Sequence, residues 1–151
     1  MSWKISKKGF GLAAILAGFL AATLPTLGSA SIWFDEAFSR HIIRFDFGRI
    51  WHFTSLDVHP PFYYFCLKVW SMIFGASDFS IRALSVAFGL ATLIALYFLI
   101  KRLYNSKAAL LSVFFVAFSP LFIKYSQEAR MYTLVALLAI VSIRAYYEAF
   151  V

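Results

Sequence analysis

The 151-residue chain is 62% hydrophobic and 20% aromatic but only 14% charged, with a mean hydropathy of +0.80. Water-soluble domains hold about 45–50% apolar and about 25% charged residues, so this composition excludes one and identifies an integral membrane protein. The formal charge of +7, from 14 Lys and Arg against 7 Asp and Glu, is spread between long apolar stretches instead of along one stripe, which excludes a nucleic-acid surface. Cys66 is the single cysteine, so neither an internal disulfide nor a cysteine cluster for a metal can form.

Lys4, Lys7 and Lys8 precede an uncharged run from Gly9 to Phe34. A bilayer core of about 30 Å needs only about 20 helical residues, so the run predicts a first transmembrane helix over residues 9–30. Its basic leader predicts a cytoplasmic N-terminus. Pro25 and Gly28-Ser29-Ala30 also fit the cleavage region of a signal peptide, and that alternative stays open.

Residues 31–82 are predicted to form an external loop with two surface helices. Phe34, Phe38, Ile42 and Phe45 recur at helical spacing from Asp35 to Phe47, while Glu36, Arg40 and Arg44 occupy another face, and Gly48 ends the pattern. A second helix starts at Pro60-Pro61, with Tyr64, Lys68 and Ser71 along one stripe. Lys68 would cost about 2.5–3.5 kcal/mol at the centre of a crossing helix, which keeps this helix on the surface.

Three further spans follow, over residues 83–103, 108–125 and 131–148, giving an all-α membrane bundle of about four transmembrane helices. Lys101, Arg102 and Lys107 flank the tight turn at Asn105-Ser106, and Arg144, Tyr146, Tyr147 and Glu148 end the last span at the same interface. With Lys4, Lys7 and Lys8 that side carries seven basic residues, as many as the other. Loop length breaks the tie, because the opposing seven lie mostly in the long 31–82 segment, so the turn is predicted to be cytoplasmic. No internal repeat or low-complexity tract occurs.

Three polar clusters are then predicted at the outer face. Asp35 and Glu36 follow the first span, as functional acids or as acids favouring a helix N-terminus. Asp57 and His59 precede the second surface helix, as a ligand pair, a cap or a turn. Tyr125, Gln127, Glu128, Arg130 and Tyr132 form the last outer turn, whose simplest alternative is an interfacial aromatic belt with a salt bridge. Arg82 adds a cation. Carboxylates and arginines between apolar helices suit a substrate with a lipid tail and a phosphate head.

The order "WFDEAFSRHI", "DVHPPFYYF", "FGASDFSIRALSVAFGLAT", "SPLFIKYSQEARMYTL" resembles the N-terminal portion of GT-C glycosyltransferases, in particular the dolichyl-phosphate-mannose protein mannosyltransferase-like group. The resemblance covers nearly the whole chain. It implies a polyprenyl-phosphate sugar donor, membrane lipid surroundings, an acceptor that stays unknown, and an active face outside a bacterial or archaeal cell membrane. It further implies Asp35 as the acid that activates the acceptor, paired with Glu36. Asp57 and His59 are implied near the lipid phosphate, and the turn of Tyr125, Gln127, Glu128, Arg130 and Tyr132 at the family's second acidic motif, in substrate binding; Arg82, by its expected place and charge, is a further candidate for the phosphate with Arg130 and His59. Some relatives carry paired aspartates where this chain has Ser126-Gln127-Glu128, so no cofactor is certain and a divalent metal stays open. Such enzymes usually continue through more helices, so the chain is expected to be a fragment whose missing C-terminal part completes the site, a truncated paralogue, or one half of an assembly completed by another subunit. The rivals are a non-catalytic membrane subunit that binds lipid or a partner, and a carrier fragment.

Overall fold

A computed structural model describes residues 7–56 and 60–150. It is all-α, with no β-strand among the described residues. Helix α1 (Lys7–Thr23) continues into a 3-10 turn (Leu24–Thr26) around Pro25. Short helices α2 (Phe34–Ile42), α3 (Phe47–Ser55) and α4 (Phe62–Phe74) follow, then α5 (Asp78–Leu103), α6 (Ser106–Ala117), α7 (Pro120–Ser126) and α8 (Tyr132–Phe150).

Gly9–Thr26, α5 and α8 are each long and apolar enough to cross a bilayer, and α6 with α7 passes as a fourth, bent span. The bend of 65° falls at Phe118-Ser119-Pro120. Pro120 has no N–H to give and pushes Ser119 into extended backbone (ψ 127°), so the helix predicted over 108–125 must break there. Helix α5 is the axis of the bundle: 44% of its most apolar stretch is buried, against 11% in each of the two other unbroken spans. The remaining apolar surface of α6 and α8, such as Phe115, Val135 and Ile143, is exposed, as lipid-facing residues are.

The segment between α1 and α5 carries three helices where periodicity predicts two. Asp46 accepts the Arg49 N–H at 2.9 Å and starts a new helix, placing Gly48 in a first turn and not at an end. The apolar spacing runs on through the break because Ile42, Phe45 and Ile50 all join one core with Tyr63, Tyr64, Leu67 and Ile81. At 13 residues α4 is too short to cross. Its Lys68 Nζ donates to the Ile43 carbonyl at 2.7 Å, tying α4 to the end of α2. Gly75 closes α4 at φ 81°, a left-handed conformation that favours glycine.

A second core, with Phe19, Leu27, Leu93, Tyr97, Ala109 and Val113, fills the space between α1, α5 and α6. The approach is close: a Cβ on Gly18 would lie 2.8 Å from the Phe118 ring, and one on Gly89 2.9 Å from Ser126 Oγ and 3.1 Å from Phe19. Helix α1 thus packs as an integral part of the bundle. The small and hydroxyl residues Ser85, Gly89 and Thr92 form one stripe of α5, with spacings of four and three residues, that faces α7 and α8. Thr133 Oγ1 donates to the Ser85 carbonyl at 2.9 Å and Thr92 Oγ1 to the Thr133 carbonyl at 3.1 Å, so hydroxyls join two apolar helices from within.

Candidate functional site at one end of the bundle

The end of α1, the start of α5 and the turn between α7 and α8 meet at one membrane edge, and α2 lies across them. Two charged rungs hold α2 antiparallel to the start of α5. The inner rung is a buried pair, Arg82 Nε to Glu36 Oε1 at 2.8 Å and Arg82 Nη2 to Glu36 Oε2 at 2.6 Å. Four residues along each helix, Arg40 Nη1 meets Asp78 Oδ1 at 2.8 Å on the exposed side. The helical repeat makes the two rungs one face, the same face that Glu36 and Arg40 mark in the sequence.

Arg82 has no donor to spare. Besides Glu36, its Nη1 donates to the Leu27 and Ala30 carbonyls at 2.6 and 2.9 Å, and its Nη2 to the Ser31 carbonyl at 3.1 Å. Those carbonyls belong to the chain leaving α1, where no regular element supplies them with backbone donors. Glu36 Oε1 also accepts the Ala129 N–H at 2.8 Å from the α7–α8 turn. One buried carboxylate–guanidinium pair therefore joins α1, α2, α5 and that turn. The helix carrying Arg82 begins at Asp78, so the arginine lies one turn inside and not at a lipid-facing start.

Asp35, the next residue, points elsewhere. Its Oδ2 lies 3.5 Å from Arg130 Nη2, and while the Arg130 side chain is buried, that of Asp35 is 34% exposed. Arg130 Nη1 donates to Tyr64 Oη at 3.4 Å. The Arg130 carbonyl in turn accepts from Ser85 Oγ at 3.2 Å, and Tyr63 Oη lies 3.2 Å from the same hydroxyl. Ser85 gives its one proton to the Arg130 carbonyl, so Tyr63 is the donor to Ser85, and burial raises the Tyr63 phenol well above its ordinary value. Arg130 is anchored from several sides while its acid partner is open to solvent.

Glu128 lies in a cleft of about 200 Å3 beside the Glu36–Arg82 pair, with Trp33, Lys124 and Gln127. Burial raises its carboxyl above the ordinary 4.5, reinforced by Glu36 and Asp35 and opposed by Lys124 and Arg130. Gln127 Nε2 donates to the Thr23 carbonyl at 3.0 Å and to Thr26 Oγ1, fastening the turn to the end of α1. Tyr125 and Tyr132 face one another with ring centroids 4.5 Å apart. They close the site end of an apolar groove of about 430 Å3 that the Pro120 bend opens between α6–α7 and α8, lined further by Phe115, Val116, Leu121 and Phe122.

The geometry thus brings together Asp35, Glu36, Arg82, Tyr125, Gln127, Glu128, Arg130 and Tyr132, while Asp57 and His59 lie outside the described residues. Among the described residues no three His, Cys, Asp or Glu side chains gather as metal donors: Glu36 is taken by Arg82, and Asp35 faces a cation. Sequence reasoning did not single out Ser85, Thr133, Trp33 or Lys124. The stripe of small and hydroxyl residues in α5 was the available signal for Ser85; nothing local marks Trp33.

Fold and site together define an integral membrane helical bundle with a partly buried acid–arginine centre at one membrane edge, beside an apolar groove. Residues 58–150, more than half of the chain, match the dolichyl-phosphate-mannose-protein mannosyltransferase family, and the chain belongs to that family. It is of the membrane glycosyltransferase class with the GT-C architecture. The matched segment contains Arg82, Glu128 and Arg130 and begins after Asp35 and Glu36. No curated protein and no solved structure matches the chain.

Proposed function

We propose that this chain transfers a sugar from a polyprenyl-phosphate carrier to an acceptor hydroxyl on the non-cytoplasmic face, with Asp35 as general base. The observation that carries the reading is the meeting of a solvent-accessible Asp35 with a buried Arg130 at 3.5 Å, beside the apolar groove. Asp35 takes the acceptor proton as its oxygen attacks the anomeric carbon. The bond from that carbon to the phosphate oxygen breaks, and its electron pair leaves on the phosphate. One displacement inverts the anomeric centre. The leaving group is already anionic and needs charge stabilisation more than a proton, which a held guanidinium supplies. Arg130 takes that role, and the isoprenoid chain lies in the groove past Tyr125 and Tyr132.

Arg82, whose five N–H donors are all engaged within the protein, acts with Glu36 as a positioning pair that sets the orientation of Asp35 and of the turn bearing Arg130. Asp57 and His59, outside the described residues, are assigned to the phosphate by the family resemblance alone. Glu128, Trp33 and Lys124 line the approach of the acceptor.

The test is turnover of labelled polyprenyl-phosphate sugar by the chain in its native membrane, with any subunits that accompany it. Asp35→Asn is expected to lower kcat by about 10²–10⁴-fold, with donor binding retained. Near-normal turnover by Asp35→Asn would remove the base assignment, and binding without turnover by the unmodified chain would leave a lipid-binding subunit.

A further inference from the structure

The opposite end of the bundle carries its own charged cleft. Helices α5 and α8 both run away from the site, and their far ends enclose a space of about 260 Å3 lined by Phe98, Lys101, Arg102, Arg144 and Glu148. Glu148 Oε1 accepts from Arg144 Nε at 2.9 Å, so three cations face one carboxylate and positive charge is in excess. Two cations rest on aromatic faces: Lys101 Nζ lies 5.7 Å from the Tyr97 ring centroid, and the Arg102 guanidinium carbon 5.9 Å from that of Tyr147. Both side chains stay exposed at the helix ends, each beside a ring of its own end of the bundle.

A second groove of about 260 Å3 adjoins the first through Arg144 and Glu148, running down the helix shafts past Ala95, Ile140 and Val141. Its lining is apolar below and charged above. Neighbouring α8 residues Leu138, Val141 and Ile143 are about half exposed, which puts the groove on a lipid-facing flank. A cationic cleft at the membrane surface that continues into an apolar slot matches one ligand shape: an anionic headgroup with an attached acyl chain.

We infer that this end of the α5–α8 pair binds an anionic phospholipid, its phosphate between Lys101, Arg102 and Arg144 and one acyl chain along Ala95, Ile140 and Val141. Basic pockets between spanning helices attract anionic headgroups in this way, each Lys or Arg near the surface contributing to the attraction. The site lies at the far membrane edge from Asp35 and does not depend on the glycosyl-transfer reading. Its occupancy would brace the two helices whose other ends hold Arg82 and Arg130.

The purified chain is exchanged into mixed vesicles of phosphatidylglycerol and phosphatidylcholine, re-extracted in mild detergent, and retained lipid is counted by native mass spectrometry. Phosphatidylglycerol is expected to be retained over phosphatidylcholine. The double variant Lys101→Gln/Arg102→Gln is expected to weaken that retention roughly thirtyfold, whereas Lys107→Gln, at the same face but outside the cleft, leaves it unchanged. Val141→Trp, which fills the slot without touching a charge, is expected to lower retention as well. Equal retention of the two lipids, retention of neither, a loss matched by Lys107→Gln, full retention in Val141→Trp, or displacement by millimolar inorganic phosphate would each overturn the inference, the last by marking a site for a free anion.

Discussion

Two adjacent carboxylates, Asp35 and Glu36, have separate fates because helix residues one apart point about 100° away from each other. Glu36 turns inward to Arg82 and the Ala129 N–H; Asp35 turns to Arg130 at the rim. A buried pair that loses one partner leaves an uncompensated charge, so Glu36→Gln is expected to cost about 3–5 kcal/mol of stability, read by denaturant unfolding in micelles. Asp35→Asn, one-third exposed and on a longer contact, is expected to change stability by less than about 1 kcal/mol. Activity and stability should therefore separate at these neighbours. At Glu128 the sign is opposite to that of a paired acid. Burial raises its folded carboxyl above the ordinary 4.5, so between that value and the raised one the folded state holds a proton that the unfolded chain has already lost. Ionisation then weakens the fold as pH rises from the ordinary carboxylate value through the raised one, and the penalty disappears on acidification. Glu128→Gln is expected to be at least as stable as the unmodified chain at neutral pH, with the difference vanishing in acid, measured by thermal unfolding across pH.

At the scale of elements, α5 organises the molecule because its polar stripe and its glycine let other helices come close. Gly89 allows contact with Ser126 and Phe19 at distances that leave no room for a larger side chain. Gly89→Leu is expected to destabilise by about 1–3 kcal/mol through overpacking, while Gly11→Ala, whose new Cβ would meet Leu110 at an ordinary 3.4 Å, is expected to be tolerated; unfolding midpoints in micelles compare the two. The bend at Pro120 has a different consequence. A straight α6–α7 would close the groove beside Tyr125 and Tyr132, so the proline that interrupts the span also makes the space for a chain-like ligand.

Over the whole molecule, α1 and α5 meet at one edge through Arg82 and the carbonyls of Leu27 and Ala30, so the segment between them enters and leaves on the same side. The spans then alternate, and the Asn105-Ser106 turn lies opposite the site. A reporter fused after Ser106 is expected to report a cytoplasmic location, since Lys101, Arg102 and Lys107 cluster there. An external signal would invert the proposed active face without altering the site's geometry.

Composition and run length alone determined the membrane class, the all-α fold and the approximate spans, because crossing a bilayer leaves the chain few other ways to satisfy its backbone. The sequence also marked Asp35, Glu36, Arg82, Glu128 and Arg130 as charges near one edge. Their pairing was illegible. Glu36 and Arg82 are 46 residues apart, and Glu36 and Ala129 are 93 apart. Which acid turns inward depends on how α2 rolls across the ends of α1, α5 and the α7–α8 turn, a packing choice that no local pattern specifies. Nor does periodicity register the Asp46 cap or the depth of the Pro120 bend, since both leave the spacing of apolar residues intact. The tertiary fold alone decided that Arg82 is a brace and that Asp35 is the acid left open, because a guanidinium is occupied only when acceptors from distant segments arrive around it together.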